Sequence, residues 1–291
     1  MPDGRSWIAM LPPQLSRQGD ALTRLLGFAE STPAVSSLSV GCSLGRSAAD
    51  EYSDVDAAVG VECPRGAAGA GRVREVESAL VDLFRDDLVD ALREESLTDA
   101  FFIRRLFAQL RDGVQLDLAI IAEGEVRRGD AAPDFVPLHR SGSPDRKDWK
   151  DSPAATFVSA EQVTTWAFRG WRALLDVDKH LRRGSAWEAH HRLHEAREQV
   201  WALWAAARGA TYPQHGLSQV LDLGLDPTDL PRGVDASVAG LGLDDLRTAA
   251  LACADALDDA SRQAAAHCSA TLPAGLAAWA RRVLVPGSER P

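Results

Sequence analysis

Between Gly41 and Asp56 the chain gathers residues suited to holding a phosphate and a hard cation. Gly41, Ser43 and Gly45 follow a β-prone run, Val35 to Val40, and Asp54 and Asp56 stand two apart at the head of a second one, Val55 to Val61. Residues i and i+2 of a strand share a face, so both carboxylates can address one ligand. Their oxygens suit hard divalent cations. Glycines let backbone N–H groups approach an anion closely, Ser43 adds a hydroxyl, and Arg46 adds a forked cation matched to phosphate oxygens.

The same residues also fit a different chemistry. Gly41-Cys42-Ser43-Leu44-Gly45 matches G-x-S-x-G, the nucleophile elbow of α/β-hydrolases. That elbow needs a helix directly after the serine and further parallel strands bearing an acid and a histidine. Here the chain runs instead into Ser53-Asp54-Val55-Asp56 and later becomes mostly helical, which favours the phosphate-and-metal arrangement over the elbow and over a turn without a site.

At these residues the sequence resembles the nucleotidyltransferase superfamily of DNA polymerase β, and more narrowly the bacterial aminoglycoside and lincosamide nucleotidyltransferases. The family pattern is a Gly-Ser turn, often continued as Leu-Gly-Arg-Gly, then a spacer and Ser-Asp-x-Asp. This chain has Gly41-Cys42-Ser43-Leu44-Gly45-Arg46-Ser47 and Ser53-Asp54-Val55-Asp56. Cys42 stands where a small residue, usually glycine, is found, and Ser47 replaces the glycine after the arginine. The likeness is sharp over about the first 125 residues and general beyond. It implies Mg²⁺ held by Asp54, Asp56 and a third acid on a neighbouring strand, with Ser43, Arg46 and Ser53 around the triphosphate of a co-substrate such as ATP.

The third acid the resemblance calls for is Asp117. Phe101 to Leu110 and Val114 to Ile121 read as two strands joined by Arg111-Asp112-Gly113, a strong hairpin signal. Asp117 sits among Leu116, Leu118, Ile120 and Ile121, where an unpaired carboxylate is costly to bury. An exposed acid on the outer face of an edge strand is the alternative.

Around this site the sequence predicts an α+β protein in two domains. With 291 residues, 45% of them hydrophobic and 25% charged, a sizeable core is within reach. Residues 1–125 form a nucleotidyltransferase domain with a mixed, mostly antiparallel sheet, residues 126–150 a Gly/Pro/Asp/Ser-rich linker, and residues 151–291 a helical bundle that binds the acceptor. In the first part Gln14 to Glu30 and Val73 to Leu92 read as amphipathic helices, separated from the strands by loops such as the Gly/Ala-rich Pro64 to Gly71. Arg146, Lys147 and Lys150 of the linker either face phosphate or are simply solvated.

In the second part Ser159 to Arg182 and Ser185 to Arg208 read as antiparallel helices joined at Arg183-Gly184, and Leu243 to His267 and Pro273 to Val285 as two more. Leu193, Ala196, Val200, Leu203 and Trp204 make a core stripe that leaves His190, His191, His194, Glu195 and Glu198 more polar. His190 and His194 have a zinc-compatible spacing but no third ligand in sight, so a polar histidine face is the simpler reading. Trp166, Trp171, Trp187, Trp201 and Trp204 suit the core, with one or two left to line a cleft. By the resemblance, a polar helical surface near the acceptor makes Glu195 a candidate general base, with Asp117 as the alternative.

A formal charge of -10 argues against nonspecific nucleic-acid binding and suits a cationic acceptor. Cys42, Cys63, Cys253 and Cys268 form no C-x-x-C pair, and neither a secretory leader nor a membrane span is evident, so a cytoplasmic protein is expected. The expected reaction is Mg²⁺-dependent transfer of a nucleoside monophosphate, AMP from ATP first among them, to a hydroxyl of a small molecule with release of pyrophosphate. A small-molecule antibiotic of the aminoglycoside or lincosamide type is the expected acceptor. The alternatives are an antitoxin-like enzyme modifying a partner protein, or a non-catalytic nucleotide-binding module.

Overall fold

The computed structural model describes residues 3–63, 67–97, 102–122, 134–141, 158–210, 212–218 and 230–285. The chain divides into two compact units, Met1–Ala154 and Ala155–Pro291. The linker cations Arg146, Lys147 and Lys150 lie outside the described residues.

The first unit is an α+β layer. Helices α1 (Gly4–Ala9) and α2 (Ser16–Ser31) precede strand β1 (Val35–Val40), the one-turn helix α3 (Cys42–Gly45) and strand β2 (Val55–Val61). Helix α4 (Ala67–Phe84) leads to β3 (Leu88–Leu97), β4 (Phe102–Leu110), β5 (Gln115–Ala122) and β6 (Val136–Arg140). The strands form one mixed sheet in the order β3-β4-β5-β2-β1-β6. Among the described pairs only β2 with β5 is parallel; the rest are antiparallel.

Period-two alternation decides which side of the sheet becomes core. Val55, Ala57, Val59 and Val61 of β2 and Leu116, Leu118, Ile120 and Ala122 of β5 are buried with Leu22, Leu25 and Leu26 of α2 and Val76, Leu80 and Phe84 of α4. Each fully buried leucine or valine side chain contributes on the order of 1.5–3 kcal/mol. A one-residue slip of β2 or β5 would invert this set, so the register is strongly held.

Three segments differ from the sequence expectation. The Gly/Ala-rich stretch read as a loop as far as Gly71 is already helical from Ala67. The helix predicted over Val73 to Leu92 stops at Phe84, and the chain turns at Arg85-Asp86-Asp87 into β3, which pairs with β4 along its length. The run Leu88 to Leu92 fits either a helix or a strand locally, and a partner strand decided it. Within the predicted linker, Val136–Arg140 is β6, paired antiparallel with β1. Pro137 disguises this strand in the sequence. It sits opposite Ser39 at a register shift on the sheet edge, where a residue without an N–H is tolerated.

The second unit is helical: α5 (Ala160–Arg182), α6 (Ala186–Ala207), α7 (Leu243–Cys268) and α8 (Ala274–Leu284). Ser159 and Gln162 close a capping box at the start of α5, and Gly184 takes a left-handed φ of 69° in the tight connection to α6. Leu193, Ala196, Val200, Leu203 and Trp204 are buried as the stripe predicts, against Leu174, Val177, Leu246 and Leu257. Asp178 is fully buried and is held by Arg182 of its own helix and Arg247 of α7. Among the described residues no helix is long and apolar enough to cross a membrane.

Candidate active site

β2 and β5 run parallel in the register Val55↔Leu116, Asp56↔Asp117, Ala57↔Leu118. Leu116 and Leu118 therefore face the core, while Asp117 turns to the opposite side of the sheet beside Asp56. That resolves the cost of an acid set among leucines and isoleucines. The row continues across the antiparallel strands, with Phe107 of β4 opposite Asp117 and Leu92 of β3 opposite Phe107. Asp54, one residue before β2, shares the face of Asp56. A concavity of about 620 Å³ lies on this face, with Asp54 and Asp117 at one side and Asp90, Leu92, Phe107, Gln109 and Gln115 around the rest.

The three carboxyls are held in an environment that disfavours their charge. The Asp56 carboxyl is pushed up to about 6, first by burial and then by the negative charges of Asp117 and Asp54, against the stabilising Cys42 thiol and Arg46. Burial also raises Asp117, opposed by Arg105, whose Nη2 stands 3.7 Å from Asp117 Oδ2. Partial desolvation raises Asp54. Repelling, desolvated carboxylates on one sheet face are a place where positive charge is favoured. Their hard oxygen donors fit Mg²⁺. As they stand, no three His, Cys, Asp or Glu side chains among the described residues are gathered closely enough to hold an ion.

The glycine turn is built as expected, with a short helix in place of an open loop. Gly41 N–H donates to Asp56 O at 2.9 Å, joining the turn to β2, and Gly45 and Arg46 N–H groups donate to the carbonyls of Gly41 and Cys42. A Cβ on Gly45 would lie 2.0 Å from Asp134 O, and one on Gly41 2.6 Å from the Phe135 ring, so both positions need glycine. Cys42 and Ser47 take φ of 52° and 58°. These are the two positions where the resembling family favours glycine, and the left-handed backbone supplies the reason. Cys42 offsets part of that strain with a hydrogen bond between its thiol and Asp56; burial, then Asp56 and Asp134, push the thiol up to about 12.

Two expected phosphate contacts are committed locally. Arg46 is paired with the buried carboxylate of Asp134, which braces the turn. The Ser53 hydroxyl donates to Asp50 Oδ1 and accepts from Asp50 N–H, closing the bend that delivers Asp54. Ser43 is half-buried in α3, directly after Cys42. Glu195 lies on α6 of the second unit, where its carboxylate pairs with Arg192 at 2.7 Å and His191 at 3.4 Å. His194 Nε2 stands 3.8 Å from Glu198 Oε1, one turn further along the same helix. Trp171 and Trp204 are core, whereas Trp187 is 72% exposed.

Sequence reasoning missed Arg105, Phe107 and Leu92. Counting outward from the Asp112-Gly113 turn with alternation along β4 would have placed Arg105 and Phe107 on the face of Asp117. Leu92 was hidden by the helical reading of its segment.

No protein-family model matches the sequence, and no curated protein does. Among solved structures, an aminoglycoside 6-adenyltransferase from Bacillus subtilis is similar to this chain. Identity is 13%, the TM-score is 0.41, and the match covers 94% of this chain and 99% of the other. A nucleotidyltransferase-like protein from Exiguobacterium sibiricum 255-15 is similar at 12% identity and a TM-score of 0.39, over 85% of this chain and 77% of its own.

Proposed function

We propose that the protein transfers a nucleoside monophosphate, AMP from ATP, to a hydroxyl of a small molecule and releases pyrophosphate. The observation that carries this reading is the pairing of Asp56 with Asp117 across a parallel strand junction, beside a glycine-serine turn whose first N–H is bonded to Asp56 O. Asp54, Asp56 and Asp117 would hold Mg²⁺. When bound, that ion supplies charge neutralisation at the triphosphate and an activated acceptor oxygen.

The chain's own residues do the rest. Gly41 to Gly45 bring the backbone close to the triphosphate, with the Ser43 hydroxyl as a further donor, while Arg46 and Ser53 hold the turn and the approach to Asp54 in shape. Arg105 adds a cation beside Asp117. The acceptor hydroxyl oxygen attacks the α-phosphorus, the bond to the oxygen bridging the α- and β-phosphorus breaks, and pyrophosphate leaves with that electron pair. Glu195 takes the hydroxyl proton, with Asp117 as the alternative. Because little covalent help is needed, alignment of acceptor and α-phosphorus is the main task of the protein.

The acceptor class is an aminoglycoside or lincosamide antibiotic. A net charge of -10 and the acids Glu188, Glu195 and Glu198 suit a polyamine sugar, whereas Trp187 suits a more apolar one. Acceptor mass after incubation with protein, ATP and Mg²⁺ tests the reading: an added AMP supports it. Loss of acceptor binding as salt rises identifies the aminoglycoside class, since exposed charge pairs are screened over about 10 Å at 0.1 M. A drug panel left unmodified while a co-purifying protein gains AMP replaces it with a protein-modifying activity. Nucleotide binding without transfer replaces it with a binding module.

A further inference from the structure

We infer that Arg17 and Gln18, adjacent in the first turn of α2, are positioning residues that lock together the two chain segments delivering Asp54 and Asp117. The inference rests on the metal-binding reading of those carboxylates for its consequence, but not for its geometry.

A parallel strand pair has a weakness at its ends. No hairpin joins β2 to β5, so the two strands come into the sheet from unrelated loops, and no short connection fixes that end of the pair. The carboxylates sit there: Asp54 just before β2, Asp56 as its second residue, and Asp117 as the third residue of β5. Any play between the two loops becomes play between the carboxylates.

Arg17 spans the gap. Its Nη2 donates to Glu51 O at 2.9 Å, in the loop before β2, and its Nη1 donates to Asp112 O at 2.6 Å, in the turn before β5. One planar guanidinium therefore ties the two loops to each other, which a single ammonium on a flexible stem does less well. Gln18 grips the first loop a second time, donating from Nε2 to Ser53 O at 2.9 Å and Glu51 O at 3.3 Å, directly before Asp54. Gln18 is 1% exposed, and its Oε1 is buried with no hydrogen-bond partner. A buried amide that leaves its acceptor unmatched is retained for its donors. The turn also has a support on its far side, Arg111 N–H to Asp87 O, so what Arg17 adds is the link to the β2 loop. Gly113 has φ of 95°, and a Cβ there would come within 3.2 Å of Arg17 Nη1.

Two readouts separate the clamp from its consequence. Amide hydrogen exchange tests the clamp, followed at Ser53 N–H, bonded to Asp50 O, and at Gly113 N–H, bonded to Leu110 O. In Arg17→Ala both should exchange faster together, with the thermal midpoint little changed because Arg17 is on the surface. Unchanged exchange, or faster exchange at one site alone, overturns the inference. Calorimetric titration with Mn²⁺ tests the consequence: Arg17→Ala should bind on the order of tenfold more weakly than the unaltered protein, as for other residues that orient metal ligands, and Arg17→Lys should fall between. Equal Mn²⁺ affinity in Arg17→Ala overturns the positioning role. If the unaltered protein binds no Mn²⁺, the metal reading fails, and the clamp stands or falls on exchange. Gln18→Met, which removes both donors while keeping the shape, should speed exchange at Ser53 but not at Gly113.

Discussion

Asp56 and Asp117 face each other across β2 and β5, the one parallel junction among the described strands. Neighbouring strands lie about 4.8 Å apart, so two carboxylates from distant parts of the chain are brought to adjacent points of one surface. The charge of Asp117 makes Asp56 harder to ionise, which is the electrostatic condition a cation would relieve.

Replacing either acid by asparagine keeps the shape and removes the charge. For Asp56→Asn and Asp117→Asn, pyrophosphate release in ATP and Mg²⁺ with a competent acceptor should fall by about a thousandfold or more while the far-ultraviolet circular dichroism stays unchanged. Near-normal turnover of either variant would remove that residue from the site.

The raised Asp56 carboxyl makes a prediction for the metal-free protein. The group titrates near 3.8 when unfolded and at about 6 when folded, so the folded state holds the proton more tightly. Its contribution to stability is fully present below about pH 4 and is lost as pH rises through 6; above that, the ionised carboxylate costs roughly 2–3 kcal/mol. In chelator, Asp56→Asn should therefore be more stable than the unaltered protein at pH 7.5 and no more stable at pH 4. Denaturant midpoints at the two values check it, and a less stable variant at pH 7.5 contradicts it.

Backbone strain at the turn gives a third test. Ser47 holds a left-handed φ of 58°, so Ser47→Gly should stabilise the fold by about 0.5–1 kcal/mol once the greater freedom of the unfolded glycine is allowed for. Cys42→Gly relieves similar strain but takes away the thiol bonded to Asp56, and should gain less. Gly45→Ala should lose on the order of 1–3 kcal/mol, because its Cβ would collide with Asp134 O. Urea midpoints of the three variants give the order.

Proton transfer in the proposed reaction separates two residues by their pH profiles. If Glu195 is the base, Glu195→Gln lowers turnover by about 10²–10⁴-fold, leaves the ATP concentration dependence unchanged and abolishes the acidic limb of the rate profile. Turnover close to normal moves the step to Asp117, and with it the acidic limb.

Much of the site was legible because its signals are local. The strands Val35–Val40 and Val55–Val61, the Gly-Ser turn, the Asp112-Gly113 hairpin and the paired helices of the second unit each depend on residues within a few positions of one another, through alternation, capping and turn chemistry. The α+β class and the pairing of Asp54 with Asp56 follow from those signals, whereas Asp117 was singled out as their partner through the family resemblance.

Other features depend on partners far along the chain. Leu88–Leu97 is a strand because β4 pairs with it, and Val136–Arg140 is one because the edge of β1 was open to it despite Pro137. Arg46 meets Asp134 instead of remaining an unengaged cation, and Arg17 finds the carbonyls of Glu51 and Asp112. Hydrogen bonds between strands and from side chains to distant carbonyls carry no periodic trace in sequence, since their donors and acceptors belong to every residue. The sequence by itself determined which acids, turns and elements this protein has; only the tertiary structure decided that Asp56 and Asp117 stand side by side, because the register of a parallel pair is set by burying both apolar faces at once, not by any turn connecting them.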